Sequence, residues 1–198
     1  MGTLDGMVRW EPGAKERLQA AALELFVERG FEQTTVQDIA ARAGLTERTF
    51  FRHFTDKREV LFTGQAEYEE HHLRGVREAP AGSTPFGFAV AAITAAADLF
   101  PADRRPWSRR RQTVIDANPA LLERELLKRA SLGTSLTAAL CDRGVPAPDA
   151  PLAAETAVTV FHVAFRLWLA EGEERELLEI ERAVLDQLAS ILPMPLGT

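Results

Sequence analysis

Helix-forming patterns occupy almost the whole chain, and this feature constrains the fold more than any other. Apolar residues recur every three or four positions, as on one face of a helix, and no alternating run of apolar and polar residues indicates a strand. Proline and glycine interrupt the pattern at the spacing of ordinary helix ends. The sequence therefore predicts an all-α protein of about nine helices.

Capping residues and helix breakers set the limits of the predicted helices. Thr35 with Asp38 gives a capping box ahead of the second helix, and Asp56 with Glu59 gives another ahead of the fourth. Gly44 ends the second helix. The nine predicted helices cover about residues 12–29, 36–43, 47–54, 57–77, 85–100, 107–117, 119–143, 152–172 and 174–192.

Composition excludes several classes of protein. Hydrophobic residues make up 46% of the 198 positions and charged residues 26%, the balance of an ordinary globular chain. The single cysteine, Cys141, rules out an internal disulfide framework and a zinc site built from paired cysteines. The longest apolar run, FGFAVAAITAAA at 86–97, is shorter than the roughly 18 residues that cross a bilayer. We therefore expect a cytoplasmic protein without a membrane partner, a metal or a cofactor.

Basic charge is concentrated in one short segment, although the chain as a whole is acidic. The net charge is −6, from 23 Lys and Arg against 29 Asp and Glu. Residues 35–58 nevertheless hold five basic and three acidic side chains, a local charge of +2. Since a nucleic acid responds to the local distribution of charge, this segment is the candidate for a nucleic-acid contact.

The same segment contains a helix-turn-helix pattern over residues 36–54. Gly44 tolerates the left-handed backbone of the tight turn. Glu47, Arg48 and Arg52 project from the exposed face of the helix that follows. Arginine there can donate two hydrogen bonds to guanine, and glutamate can accept one from cytosine. The competing interpretation is a generic pair of helices with a solvated, charged face.

The wider string TTVQDIAARAGLTERTFFRHFTDKREVLF closely resembles the DNA-binding signature of the TetR family of transcriptional regulators. The resemblance is specific from Ala14 to Leu61 and looser beyond it. It implies a helical homodimer with a three-helix DNA-binding domain over 1–56 and a ligand-binding and dimerisation domain over 57–198. It also implies a sequence-specific repressor that binds a pseudo-palindromic DNA operator and is released by a small apolar or amphipathic effector.

The resemblance also assigns roles to individual residues of the motif. Glu47, Arg48 and Arg52 match positions that face the bases. The positions that match phosphate contacts are Thr35, Thr46, Thr49, His53 and Lys57. Phe51 departs from the family pattern, which usually has a tyrosine here, so it offers van der Waals contact without the hydrogen bond to phosphate.

The eighth predicted helix is apolar around most of its circumference, so it needs two buried faces. The resemblance implies that helices eight and nine pair with their copies in the dimer, and that helix eight also lines the ligand pocket. The residues suggested for the dimer interface are Val160, Phe161, Phe165, Trp168, Val184 and Leu188. The candidate ligand contacts are Phe86, Phe88, Phe100, Trp107, Arg111, Ile115, Leu126, His162 and Arg166. For the apolar members of this set, plain core packing is the alternative.

Two sets of polar residues allow more than one interpretation. His162 and Arg166 are either interface or core groups paired with a carboxylate, or ligand contacts. The densest basic cluster is either a solvated face, an anion site at the mouth of the pocket, or a contact with DNA. Its members are Arg104, Arg105, Arg109, Arg110 and Arg111.

Two other functions stay open from the sequence. One is a non-inducible DNA-binding dimer with a filled C-terminal core, which an apolar cavity of roughly 300 Å³ or more would argue against. The other is a helical metal-carboxylate enzyme, because Glu69 and His72 stand in the Glu-x-x-His relation of di-iron bundles. The sequence holds one such pair and no P-loop, dinucleotide fingerprint or HExxH motif, so we expect no catalytic residues.

Overall fold

The computed structural model describes residues 13–191, which form nine α-helices and no strand. This confirms the predicted all-α class. The helices are α1 (Ala14–Arg29), α2 (Val36–Arg42), α3 (Glu47–His53), α4 (Gln65–Glu78), α5 (Pro85–Ala97), α6 (Arg105–Asp116), α7 (Pro119–Asp142), α8 (Asp149–Trp168) and α9 (Leu177–Ile191). The helix-end signals at Pro12 and Pro193 lie outside the described residues.

The chain divides into two compact units between Thr63 and Gly64, rather than after residue 56 as the sequence suggested. The reason is a single 3-10 turn, Glu59–Phe62, which packs on α1. Val60, Leu61 and Phe62 in this turn are buried. The turn therefore belongs to the core of the N-terminal unit.

The fourth helix begins later than the sequence predicted. Asp56 does cap a helical turn, because its carboxylate accepts hydrogen bonds from the backbone N–H groups of Arg58 at 2.7 Å and Glu59 at 3.2 Å. That turn is the short 3-10 segment, however, and Gly64 with φ 89° separates it from α4. A residue with a side chain rarely adopts this φ, so no continuous helix runs from 57 to 77.

The core of the N-terminal unit forms where α2 and α3 pack on α1. Its helix α1 presents apolar residues at the three- and four-residue spacing of one helix face. The buried apolar residues contributed by the three helices include Leu18, Ala22, Leu25, Phe26, Ile39 and Phe50. This packing leaves the opposite side of α3 in solvent.

In the C-terminal unit, α5 packs against α4, α8 and α9. Its alanines allow neighbouring helices to come close, and Gly75 of α4 lies against the backbone of one of them, Ala91. A Cβ atom at Gly75 would lie 2.3 Å from the carbonyl oxygen of Ala91. The α4–α5 pair therefore requires glycine at this position.

Helix α7 begins at Pro119 with Asn118 at its N-cap, as predicted. The Asn118 side chain makes no hydrogen bond to α7, however, and instead donates its amide N–H to the carbonyl of Val114 at 2.6 Å, near the end of α6. Helix α8 begins at Asp149, inside the proline-rich stretch predicted as a linker. Proline within the first turn of a helix removes no hydrogen bond, so Pro151 does not delay the start.

Among the described residues no single helix is both long and apolar enough to cross a membrane. Pro85–Ala97 and Ala102–Asp116 reach that length and composition only as a pair, and the two segments meet at 70°.

Candidate nucleic-acid interface

Local caps fix the turn between α2 and α3. Thr35 Oγ1 accepts a hydrogen bond from the backbone N–H of Asp38 at 3.1 Å, and the Asp38 carboxylate accepts one from the N–H of Thr35 at 3.0 Å. This confirms the predicted capping box. Gly44 takes φ 66° in the turn, and Thr46 Oγ1 then caps α3 by accepting from the N–H of Thr49 at 3.2 Å.

The helix α3 buries one side of its surface and exposes the other. Phe50 is fully buried, and its ring meets that of Phe51 edge-on with 5.5 Å between the centroids. Phe51 itself is 55% exposed. The exposed side chains of α3 are Glu47, Arg48, Phe51, Arg52 and His53. These residues form the face that a nucleic acid can reach, and we call it the α3 face.

Ion pairs neutralise much of the basic charge near α3 but not the charge on the α3 face. Arg42 pairs with Glu24 at 3.3 Å and with Glu28 at 2.9 Å, and Arg58 pairs with Asp56 at 3.1 Å. Within residues 13–191, Glu47 and Arg48 have no hydrogen-bond or ion-pair partner. Glu47 and Arg48 in the first turn of α3 and Arg52 in its last turn therefore carry charges that no ion pair within the described residues neutralises.

The threonine hydroxyls are already engaged inside the motif. Thr35 Oγ1 donates to the Asp38 carboxylate at 2.6 Å, and this hydrogen bond is the largest cause that lowers the pKa of Asp38. The hydroxyl oxygens of Thr46 and Thr49 lie 3.0 Å apart and form one hydrogen bond, in which either hydroxyl can be the donor. The hydroxyl that is not the donor in this bond can donate its proton to a phosphate. The Thr35 hydroxyl could do so only after breaking its hydrogen bond to Asp38.

Lys57 does not begin the fourth helix, as the sequence suggested, because α4 begins at Gln65. Its ammonium donates to the carbonyl oxygens of Phe31 at 2.8 Å, Thr34 at 3.1 Å and Glu32 at 3.4 Å. It also lies 4.3 Å from the centroid of the Phe31 ring. The three ammonium protons can be satisfied in this way, so within the chain Lys57 holds the α1–α2 connection.

We expect Lys57→Ala to lower the free energy of unfolding of the N-terminal unit by about 1 to 3 kcal/mol, because it removes hydrogen bonds made by a charged group. Thermal unfolding followed by circular dichroism measures the effect. Lys15→Ala is the matched control, since Lys15 is an exposed lysine on α1. Equal melting temperatures for the two variants would return Lys57 to the set of candidate phosphate contacts.

Two family models match the chain. The model for bacterial regulatory proteins of the tetR family matches residues 18–63, and the model for the MftR C-terminal domain matches residues 84–193. The second match covers more than half of the chain. The chain belongs to the TetR family of transcriptional regulators. It is therefore a DNA-binding transcription regulator and not an enzyme.

Individual relatives share either the DNA-binding part or the fold. The HTH-type transcriptional regulator TcmR of Streptomyces glaucescens is 42% identical over 71 residues, 36% of this chain and 31% of TcmR. The chain thus matches less than a third of the length of that relative. The SmeT–triclosan complex has a TM-score of 0.62 at 20% identity and covers 93% of this chain and 99% of its own.

The Thermus thermophilus repressor FadR, solved with lauroyl-CoA, has a TM-score of 0.52 at 22% identity. The similarity covers 92% of this chain and all of the FadR chain. At 22% and 20% identity, the similarity to FadR and SmeT shows that this chain has the same fold as these two proteins.

The candidate ligand residues of this TetR-family chain differ widely in burial. Ile115 and Phe88 are buried, and the Arg143 guanidinium lies 4.8 Å from the centroid of the Phe88 ring. Phe86 and Leu126 are exposed on the surface. Helical spacing indicates which residues share an apolar face, but it does not show whether a neighbouring helix or a ligand covers that face.

The charged candidates are paired within the chain. Arg111 donates to Glu125 at 3.1 Å, and Arg166 forms an ion pair with Asp116. These contacts favour the interpretation of Arg111 and Arg166 as paired structural groups. His162 is half-buried, and burial lowers its pKa.

Two members of the basic cluster hold the backbone that follows α8. Arg105 donates to the carbonyls of Glu173 and Arg175. Arg109 donates to the carbonyl of Leu169 at 2.8 Å and to the next carbonyl, also at 2.8 Å. With Arg111 paired to Glu125 and Arg104 donating to the carbonyl of Leu99 at 2.9 Å, four of the five arginines are engaged within the chain. The cluster is therefore neither a fully solvated face nor a ready anion site.

Three of the residues suggested for the dimer interface are buried within a single chain. Val160, Phe161 and Trp168 belong to the core of the C-terminal unit, so the sequence interpretation of these three is wrong. Phe165, Val184 and Leu188 are partly buried and pack against the same core. The exposed apolar residues of α8 are instead Leu152, Val163 and Leu167.

Glu69 and His72 do not combine into a metal site. The Glu69 carboxylate accepts a hydrogen bond from Ser135 Oγ at 2.5 Å, whereas the His72 ring is buried and bonds to the carbonyl of Tyr68 at 2.9 Å through Nδ1. In the part of the chain that the structure describes, no three His, Cys, Asp or Glu side chains converge as metal ligands.

Glu181 is a buried acidic residue that was not singled out from the sequence. This residue is 1% exposed and belongs to α9. Its position had a detectable signal, because Glu181 follows Leu177 by four residues and precedes Leu185 by four. Burying a carboxylate inside such an apolar stripe lowers the stability of the fold unless a hydrogen-bond donor or a cation pairs with it.

Proposed function

We propose that this regulator reads its operator through the α3 face. The observation that carries the proposal is the unpaired Arg48 beside the exposed Phe51. A guanidinium without an intramolecular partner is free to donate to a guanine edge in the major groove. An exposed phenylalanine on the same face supplies van der Waals contact with a thymine methyl or a sugar.

We also propose a two-fold dimer that binds a pseudo-palindrome, since two copies of one recognition helix require repeated half-sites. The exposed apolar pair Val163 and Leu167 on α8, four residues apart, is the best-supported surface for dimer contact. The partly exposed Val184 and Leu188 of α9 extend it. We propose a cytoplasmic location as well, because the operator DNA that it would bind lies there.

The test begins with selection of operators from random duplexes by the full chain. We expect pairs of inverted half-sites spaced by about one helical turn or a multiple of it. Arg48→Ala should then weaken binding to the selected operator by about 1 to 3 kcal/mol and binding to a scrambled duplex much less. Fluorescence titrations at several salt concentrations measure both.

Lys15→Ala serves as the control here as well, because it also removes one positive charge from the N-terminal unit. It should reduce the affinity for operator and scrambled duplex equally and only slightly. If Arg48→Ala loses the same affinity on both duplexes, the arginine contacts phosphate and not a base. Recovery of asymmetric, unrepeated sites would contradict the symmetric dimer.

We propose further that a small molecule bound in the C-terminal unit releases the operator and that the protein represses its targets. The support comes from proteins of the same fold, since SmeT has been solved with triclosan and the repressor FadR with lauroyl-CoA. A cleft of about 250 Å³ lies between the end of α5 and the start of α9. It is lined by Ala97, Asp98, Phe100, Pro101, Glu176, Leu177 and Leu178.

The second candidate is a DNA-binding dimer that does not respond to a ligand. This cleft, of about 250 Å³, is smaller than the roughly 300 to 1,000 Å³ of common ligand pockets, so an effector of ordinary size would need a larger cavity than this one. Small-molecule binding that lowers operator affinity would distinguish the inducible regulator from this alternative.

A further inference from the structure

One side chain from the start of α1 reaches the turn between α2 and α3. The guanidinium of Arg17 donates a hydrogen bond through Nη2 to the backbone carbonyl of Ala43, 26 positions further along the chain. Arg17 is half-buried, and Ala43 is the buried residue that caps the end of α2. The bond therefore joins the beginning of α1 to the turn that leads into α3.

The carbonyl of Ala43 is an acceptor that the turn itself does not use. The turn closes the end of α2 through its own backbone, because the N–H of Leu45 donates to the carbonyl of Ala40 at 2.8 Å. Within residues 13–191, the donor to the Ala43 carbonyl is Arg17. An unbonded carbonyl at a buried residue lowers the stability of a fold. The turn thus needs a donor from outside itself, and Arg17 supplies it.

The same guanidinium lies against the next residue of the turn. Nη2 of Arg17 is 3.0 Å from the point where a Cβ atom at Gly44 would be. Gly44 also has φ 66°, so glycine is required there both for the backbone conformation and for the space that the guanidinium fills. Arg17 therefore contacts two consecutive residues of the turn.

The other connections between α1 and α2 are of a different kind. Arg42 pairs with Glu28 at 2.9 Å, and Arg29 pairs with Asp38 at 3.8 Å. All four of these side chains are exposed to solvent, where an ion pair contributes little and its members can rearrange. Arg17 bonds instead to the backbone, so it fixes the position of the chain rather than that of another side chain.

The position of the turn matters because α3 is short. The helix has seven residues, and Phe50 is its buried member. Thr46 caps α3 only within its own first turn, so this cap does not hold the helix against α1. The orientation of α3 depends on the packing of Phe50 and on the turn that precedes it. Any displacement of the turn would also move Arg48, which follows Ala43 by five positions.

We propose that Arg17 is a positioning residue for sequence recognition, which holds the turn between α2 and α3 so that Arg48 meets a base edge in a fixed geometry. This inference rests on the proposed reading of the operator through the α3 face. Paired hydrogen bonds to a guanine tolerate little displacement, whereas the attraction between a cation and phosphates varies slowly with distance. A loosened turn should therefore reduce discrimination between sequences more than it reduces binding to DNA in general.

The experiment compares Arg17→Ala with Lys15→Ala on the selected operator and on a scrambled duplex. Both variants remove one positive charge from the start of α1, and Lys15 is exposed. In Arg17→Ala, the ratio of operator affinity to scrambled-duplex affinity should fall by about three- to tenfold, a part of what removal of a base contact costs. The ratio should stay at the wild-type value in Lys15→Ala. Fluorescence titrations measure both affinities.

Salt dependence separates positioning from a direct contact with phosphate. Because Arg17 is bonded within the chain, its removal should leave the slope of affinity against salt concentration the same as in Lys15→Ala. All titrations are run below the melting temperature that circular dichroism gives for each variant. If Arg17→Ala does not fold, Arg17→Lys replaces it, since lysine keeps the charge but loses the fork of donors. The affinity ratio should then fall by a smaller factor.

Hydrogen exchange measured by mass spectrometry reports on the turn without DNA. Loss of the bond from Arg17 should raise the exchange rate of peptides that cover residues 43–49, because the amides of a loosened turn open more often. Peptides from the second half of α1 should exchange as in the wild type. Lys15→Ala should match the wild type in both regions.

Two results would overturn the inference. One is an unchanged affinity ratio in Arg17→Ala. The other is an equal loss of affinity on both duplexes with a salt slope smaller by about one unit, which would make Arg17 a phosphate contact. Arg48→Ala distinguishes this failure from that of the proposed function. If Arg48→Ala lowers the ratio and Arg17→Ala does not, only the positioning role is wrong, whereas an unchanged ratio in Arg48→Ala contradicts the reading through the α3 face.

Discussion

Val160→Arg should unfold the C-terminal unit rather than release two folded subunits. Val160 is 3% exposed and belongs to the core of that unit. An unpaired charge at this position loses its hydration without gaining a partner, which costs about 3 to 5 kcal/mol. Much of the stability of an ordinary domain would be lost. Circular dichroism should show a large fall in melting temperature, and light scattering should show aggregation or an expanded chain.

Leu167→Arg provides the matched comparison on the same helix. Leu167 is 45% exposed, so an arginine there keeps its hydration in the isolated chain and should change the melting of that chain little. If the α8 surface forms the dimer contact, this variant should be a folded monomer by light scattering. A folded Val160→Arg monomer with unchanged melting would show that Val160 lies at the interface after all.

Glu181→Gln should remove a dependence of stability on pH that the wild type has. Burial raises the pKa of Glu181 from 4.5 to about 8 in the folded chain. Below pH 4.5 the carboxyl group is protonated in both the folded and the unfolded chain and does not lower the free energy of unfolding. As the pH rises from 4.5 toward 8, the unfolded chain loses this proton first, so the free energy of unfolding falls. Between pH 5 and pH 8, the free energy of unfolding of the wild type should fall by about 2 to 4 kcal/mol relative to that of the variant.

The measurement is the free energy of unfolding of both proteins in urea at each pH. The glutamine amide carries its own burial cost, but this cost does not change with pH. His72 contributes equally to both proteins, although burial lowers its pKa to about 4, so its effect cancels in the difference. Asp186 lies at an exposed position of α9, so the free energy of unfolding of Asp186→Asn should vary with pH as that of the wild type does. A constant difference between wild type and Glu181→Gln at all pH values would show that Glu181 is not strongly perturbed.

The sequence alone determined the helix-turn-helix motif and most helices. Thr35 and Asp38 cap each other across three residues, Gly44 supplies the turn, and Thr46 caps the next helix through Thr49. All of these interactions join residues within four positions. Because the signals are local, reading them requires no knowledge of what packs against the motif.

The limits of the N-terminal unit and the roles of its cations were decided by the tertiary structure. Lys57 matched a phosphate position in the sequence, yet its ammonium bonds to carbonyls about 25 residues away. The turn after it packs on α1 and extends the unit to Thr63. A lysine side chain looks the same in sequence whether its partner is a distant carbonyl or a nucleic acid.

The same limit applies to the C-terminal unit. Periodicity predicted that α8 buries two faces, but only the packed helices show that Val160, Phe161 and Trp168 are covered within one chain while Leu167 is not. Likewise, Arg105 and Arg109 bond to backbone some 60 to 70 residues later. Local spacing in a sequence determines which residues share a face of a helix. What covers that face, and which distant acceptor meets a charged side chain, depends on contacts that form only when the chain folds.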